Sequence, residues 1–136
     1  MSALDTLLKL AQRQLDEVSR EAAVAHAAIQ DLRSDMDAAR ARAQRADQAA
    51  QADIDLMIGA GDFRGRMSRE QEEILERIDA EEALLETIRE RLAVAYQEKS
   101  KLEQLIEREK RVAAQAAAAA EQKQLDEAAI NLSNRS

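Results

Sequence analysis

Apolar residues recur along the first half of this chain at alternating steps of four and three. The series is Leu4, Leu8, Ala11, Leu15, Val18, Ala22, Ala25, Ile29, Leu32, Met36, Ala39, Ala43, Ala46, Ala50, Asp53 and Met57, and fifteen of the sixteen are apolar. A repeat of 3.5 residues held this long is the mark of a left-handed coiled coil, not of a helix lying on a globular core. The second half repeats it less strictly: Met67, Gln71, Ile74, Ile78, Glu81, Leu85, Ile88, Leu92, Ala95, Lys99, Leu102, Ile106, Glu109, Ala113, Ala116 and Ala120. Its polar members either fix the register at some cost in stability or mark a drifting seam, because Leu105 and Val112 offer a neighbouring stripe.

Between the two series stand all three glycines, Gly59, Gly61 and Gly65. Glycine weakens a helix interior more than any residue but proline. Ser68, three residues before Gln71, has the spacing of a capping box. These signals predict a helix over about 3–58, a loop over 59–67, a second helix over about 68–132 and a frayed C-terminal tail. The fold class expected is all-α, with residues 1–136 forming one long antiparallel two-helix coiled-coil hairpin.

Folding at the glycines opposes positions whose numbers add to 124. Val18 then meets Ile106, Ala22 meets Leu102, Leu32 meets Leu92, Ala39 meets Leu85 and Leu8 meets Ala116. Large residues often face small ones, which suits dense packing. On the flanks Arg40 faces Glu82 and Asp35 faces Arg91. Residues 124–136 overhang this pairing, with Leu125, Ala128, Ala129 and Leu132 as an apolar stripe that is either a partner site or part of a frayed tail.

Composition fits. The chain has no Pro, Cys or Trp, 1% aromatic residues and 35% charged ones, enough apolar surface for a seam but not for a globular core. The absence of Cys leaves neither disulfides nor thiolate metal sites. The N-terminus lacks the basic and apolar regions of a secretory signal, and no apolar run approaches the roughly 20 residues that span a bilayer. A cytoplasmic protein is expected. The net charge of −7 argues against nucleic acid as a partner. Charge is uneven: residues 70–90 hold nine acids against two arginines, and residues 99–111 hold five bases against three acids. Both blocks read first as solvated helix faces.

No catalytic, cofactor-binding or metal site is expected. His26 is the sole histidine and has no ligand spacing around it. The glycines lack the GK[ST] of a phosphate loop. Carboxylates on a two-helix surface have no cleft to shift their pKa. Contact surfaces remain. Phe63, Arg64 and Arg66 stand at the expected loop tip, where Phe63 either anchors a partner or folds back on Met57 and Met67. Leu7, Leu105, Val112 and Ala119 either form a binding edge or widen the seam.

The stretch Lys101-Leu102-Glu103-Gln104-Leu105-Ile106-Glu107-Arg108, followed by Glu121-Gln122-Lys123-Gln124-Leu125-Asp126-Glu127-Ala128, together with the N-terminal Leu-Leu-Lys-Leu heptads and the length, resembles the flagellar FliJ family of type III export proteins. The resemblance implies a non-enzymatic stalk or adaptor in bacterial flagellum biogenesis and motility. Members are antiparallel hairpins that look like the coiled-coil part of a rotary ATPase γ subunit. They are thought to enter the hexameric export ATPase and to touch the export-gate membrane protein. An ATPase-facing set follows from it: Leu102, Leu105, Arg108, Val112, Gln122, Lys123, Leu125, Asp126 and Glu127. The gate-binding surface of some members is aromatic and near the tip, whereas residues 44–58 and 67–83 here hold no aromatic residue. The implied partners are proteins, and any membrane association is peripheral, through them, at the cytoplasmic face of the inner membrane. Alone, the chain is expected to be a monomer. The competing readings are a related injectisome's cargo or chaperone adaptor, a generic coiled-coil scaffold, or hairpins joined into a bundle.

Overall fold

The computed structural model describes residues 2–135. Two helices, α1 (Ala3–Ala52) and α2 (Ile54–Arg135), account for nearly all of them, and no strand occurs among the described residues. The fold is all-α, and the two helices pack against each other antiparallel. By contact the chain forms two units, one of Asp16–Ala93 and one joining the residues up to Leu15 with those from Val94 onward.

Helix α1 starts at a reciprocal cap. Asp5 N donates to Ser2 Oγ at 3.2 Å, and Ser2 N donates to Asp5 Oδ2 at 3.2 Å. Two amides that the helix leaves unpaired are thereby satisfied. The Ser2 amide, and then the Ser2 hydroxyl, hold the Asp5 carboxyl below the usual carboxylate range, because both stabilise its charged form.

The unit Asp16–Ala93 is a hairpin closed by a single non-helical residue, Asp53. Its Oδ1 accepts the Asp55 N–H at 2.9 Å, and its carbonyl accepts the Met57 N–H at 3.1 Å. Asp53 is therefore the N-cap of α2. This corrects the expected boundaries. The first helix stops at Ala52 instead of 58, residues 59–67 lie inside α2, Ser68 caps nothing, and α2 remains helical through residues 124–135. The three glycines take ordinary helical conformations, none with positive φ. A run with a competent N-cap before it and a long packed helix after it absorbs their cost, about 1 kcal/mol each against alanine.

Moving the turn moves the register. One core cluster joins Val18, Ala25 and Ile29 to Leu85 and Ile88, with Ala22 and Leu92 packed against it. A second joins Met36 and Ala39 to Ile74 and Ile78, with Leu32 alongside. Val18 thus falls in one cluster with Leu85 and Ile88 and not with Ile106, and Ala39 falls in one with Ile74 and Ile78 and not with Leu85. The ion pairs agree. Glu82 meets Arg33, one heptad from the expected Arg40, and Arg91 meets Glu21, two heptads from the expected Asp35. Arg42–Glu70 and Arg64–Asp47 continue the same edges toward the turn. A seam built on a fixed 4-3 repeat offers apolar partners in more than one register, so the turn decides which match is used. Small still faces large: Ala39, fully buried, sits among Met36, Ile74 and Ile78. Each buried Leu or Ile contributes about 1.5–3 kcal/mol by leaving water.

In the other unit Ala11, Leu15 and Ala95 are buried, and Leu4, Leu8, Leu102 and Ile106 are half-buried. Burial ends there. Every described residue from Glu107 onward is exposed, including Ala113, Ala116 and Ala120, which were expected in the seam. The exposed end is therefore residues 107–135, more than twice the length of the overhang expected from the sequence.

Candidate functional site

Two surfaces stand out, one in each unit. The first is the exposed end of α2. Alanine, Gln, Glu, Lys and Leu make it a strong intrinsic helix former, aided by the Lys99–Glu103 ion pair at 3.6 Å and the Gln122 Nε2 to Asp126 Oδ1 hydrogen bond at 3.0 Å, each one helical turn apart. A shallow groove here is lined by Lys101, Gln104, Leu105, Arg108 and Arg111. These residues share one face because their spacings are three and four. Arg108, Lys110, Val112, Ala113 and Ala116 line the groove that continues it.

Of the nine residues that the resemblance points to, eight are exposed: Leu105, Arg108, Val112, Gln122, Lys123, Leu125, Asp126 and Glu127. Leu102 is half-buried. The structure brings Leu105, Arg108 and Val112 onto adjoining grooves, and it ties Gln122 to Asp126. The edge residues Leu7, Leu105, Val112 and Ala119 are all exposed.

The second surface lies beside the turn. Phe63, Arg64 and Arg66 are not in a loop; they stand on the third and fourth turns of α2. Phe63 is half-buried and lines a groove with Ala46 and Ala50 of α1 and Gly59 and Ala60 of α2. Arg66 stacks over its ring, 5.9 Å from the centroid. Arg64 is held by Asp47 at 2.8 Å. Next to them Ile54, Leu56, Met57 and Ile58 are 77%, 52%, 55% and 81% exposed. Sequence reasoning missed this patch by assigning Met57 to the first seam. The signal was present: four large apolar residues within five positions, directly after the one polar member of that seam, are denser than a 4-3 repeat needs.

Among the described residues no polar side chain is buried, and no group of three or more His, Cys, Asp or Glu is placed to hold a metal ion. No described helix is long and apolar enough to cross a membrane. What the surfaces offer is contact: apolar ridges bordered by guanidinium and carboxylate groups on a stiff helix.

The model of the family described as Flagellar FliJ protein matches residues 1–136, the whole chain. No curated protein and no solved structure matches it.

Proposed function

This chain belongs to the FliJ family and is a component of the flagellar type III protein export apparatus, and from that premise we propose that it acts there as a non-enzymatic stalk whose α2 end docks on the export ATPase ring. The observation that carries this reading is the exposed end of α2 over residues 107–135, where no described residue is buried or half-buried. An isolated helix owes most of its stability in proteins to a packed face. A long one that presents Val112, Leu125, Ile130 and Leu132 to water is built to be covered by something else.

The contacting set is Leu105, Arg108, Val112, Gln122, Lys123, Leu125, Asp126 and Glu127, with the half-buried Leu102 beside them. A single helix inside a six-fold ring cannot touch all subunits alike. It biases the subunits it does touch, by differential affinity for their states and without any catalytic group. The second contact, with the export-gate membrane protein, falls on Ile54, Leu56, Met57 and Ile58 beside the turn, in place of the aromatic surface of other members. Membrane association is then peripheral and follows from that contact.

Affinity purification of the tagged chain from its own host, with the bound proteins identified by mass spectrometry, tests this. Recovery of the export ATPase and gate, and stimulation of ATP hydrolysis by the added chain, is the expected result. Recovery of neither protein overturns the stalk reading and leaves a coiled-coil scaffold.

A further inference from the structure

Two exposed faces of α2 each carry several charges of one sign that make no ion pair with another element among the described residues. In the unit Asp16–Ala93, Glu72, Glu76, Asp79, Ala83, Glu86 and Glu90 succeed one another at steps of four and three and form one exposed face. Glu72, Glu76, Asp79 and Glu90 make no ion pair among the described residues, and Glu86 meets only Arg89 of its own helix, at 3.8 Å. Leu75, 46% exposed, borders this face. In the other unit Lys101, Gln104, Arg108 and Arg111 form an exposed face of the same kind, and none of the three cations makes an ion pair. Leu105 and Val112 border it, 44% and 59% exposed.

A helix that only has to stay soluble gains from mixing the two signs at spacings of three and four. Opposite signs do mix elsewhere on α2, as at Arg69 and Glu73 or Glu73 and Arg77, and Glu107 stands four residues before Arg111. Each of these two faces still presents one sign with no partner from another element among the described residues, which favours a contact between chains. The spacings match as well. Ten residues separate Lys101 from Arg111 and eleven separate Asp79 from Glu90. Both spans are about 15 Å along a helix. Laid antiparallel, Lys101 meets Glu90 while Arg111 meets Asp79, and Arg108 lies between Asp79 and Glu86.

We propose that the basic face of residues 101–112 in one copy of this chain docks on the acidic face of residues 72–90 in a second copy, with Leu105, Val112 and Leu75 supplying the apolar border of the contact. The occupant is a second copy because both complementary faces belong to this chain. The contact is electrostatic and weak, so the chain is monomeric at high ionic strength and self-associates at low. It covers Arg108 and Leu105, and so withholds them from any other partner until the copies separate.

Sedimentation velocity of the full chain at micromolar concentration tests this, in about 50 mM and about 500 mM salt, where the screening lengths differ roughly threefold. The expected mass rises above the 15.1 kDa of one chain at low salt and returns to it at high salt. The variants K101E/R108E/R111E and E72K/E76K/D79K/E90K alter only exposed positions, and circular dichroism checks that they keep their helix content. Each alone is expected to sediment as a monomer at low salt. Their equimolar mixture is expected to restore a two-chain complex, because one supplies an intact acidic face and the other an intact basic face. A monomer under every condition, association that resists salt, or a mixture that stays monomeric overturns the proposal.

Discussion

Arg91 Nη1 lies 2.6 Å from Glu21 Oε2, bridging residues seventy apart in the chain. The pair is exposed, so its own contribution is small, about 0.2–1 kcal/mol. Its value is that it reports the register. Glu21→Lys and Arg91→Glu should each lower the unfolding midpoint slightly by opposing like charges, and the double exchange should recover it. A double-mutant cycle in urea measures the coupling. Asp35→Lys combined with Arg91→Glu should show none, because Asp35 is not the partner of Arg91.

Asp53 caps α2, and Ser68 does not. Asp53→Ala should cost about 0.5–2 kcal/mol, the usual range for losing an N-cap side chain. Ser68→Ala should leave stability unchanged or raise it by a few tenths of a kcal/mol, since alanine is the better helix former at an exposed position. Chemical denaturation of the two variants separates a turn at residue 53 from a turn at the glycines.

The glycines give a second, independent reading of the same point. A Cβ built at Gly59 or Gly61 meets nothing within 4 Å, and neither residue has a positive φ. Gly59→Ala and Gly61→Ala should therefore each stabilise the hairpin by about 0.5–1 kcal/mol, by reducing the entropy of the unfolded chain and improving helix propensity. Were these residues in a loop that needs left-handed conformations, the same changes would destabilise. Thermal unfolding of the double variant decides the sign.

The Asp5 carboxyl is held below its ordinary value of 3.8 by the Ser2 amide and hydroxyl. A depressed folded-state pKa means that its stabilising effect is fully present above the unfolded value and disappears as pH falls through the folded value. The first turn of α1 should therefore loosen only below about pH 4. Backbone amide shifts of Ser2 and Asp5 followed by NMR from neutral to acidic pH should titrate below the ordinary carboxylate midpoint. Asp5→Asn should remove that titration.

Much of the seam was legible from spacing alone. Residues Leu4 to Ala50 and Met67 to Ile106 are buried or half-buried along the series read from the sequence, because a helical repeat is a local property. The pairing was not legible. Leu92 faces the right kind of surface opposite either Leu32 or Ala22, since both belong to the same repeat, and only the turn distinguishes them. Glycine propensity pointed to 59–65, and a capping aspartate eight residues before Gly61 overrode it. That aspartate was visible as the one polar member of its seam. The alanines at 113, 116 and 120 kept the 4-3 spacing and so looked packed, but an alanine-rich helix keeps any spacing whether or not a partner lies against it. The shift of the turn left them bare, and it enlarged the candidate site from a short tail to residues 107–135.

The most direct test removes that bare helix. Deleting residues 107–136 takes away no buried residue among those described, so helix content should fall by the deleted share while the unfolding midpoint of the remaining hairpin stays within about 1 kcal/mol of its original stability. Binding to the purified export ATPase from the same host, measured by titration calorimetry, should be lost. If the shortened chain binds the ATPase as the full chain does, the end of α2 is not the docking surface.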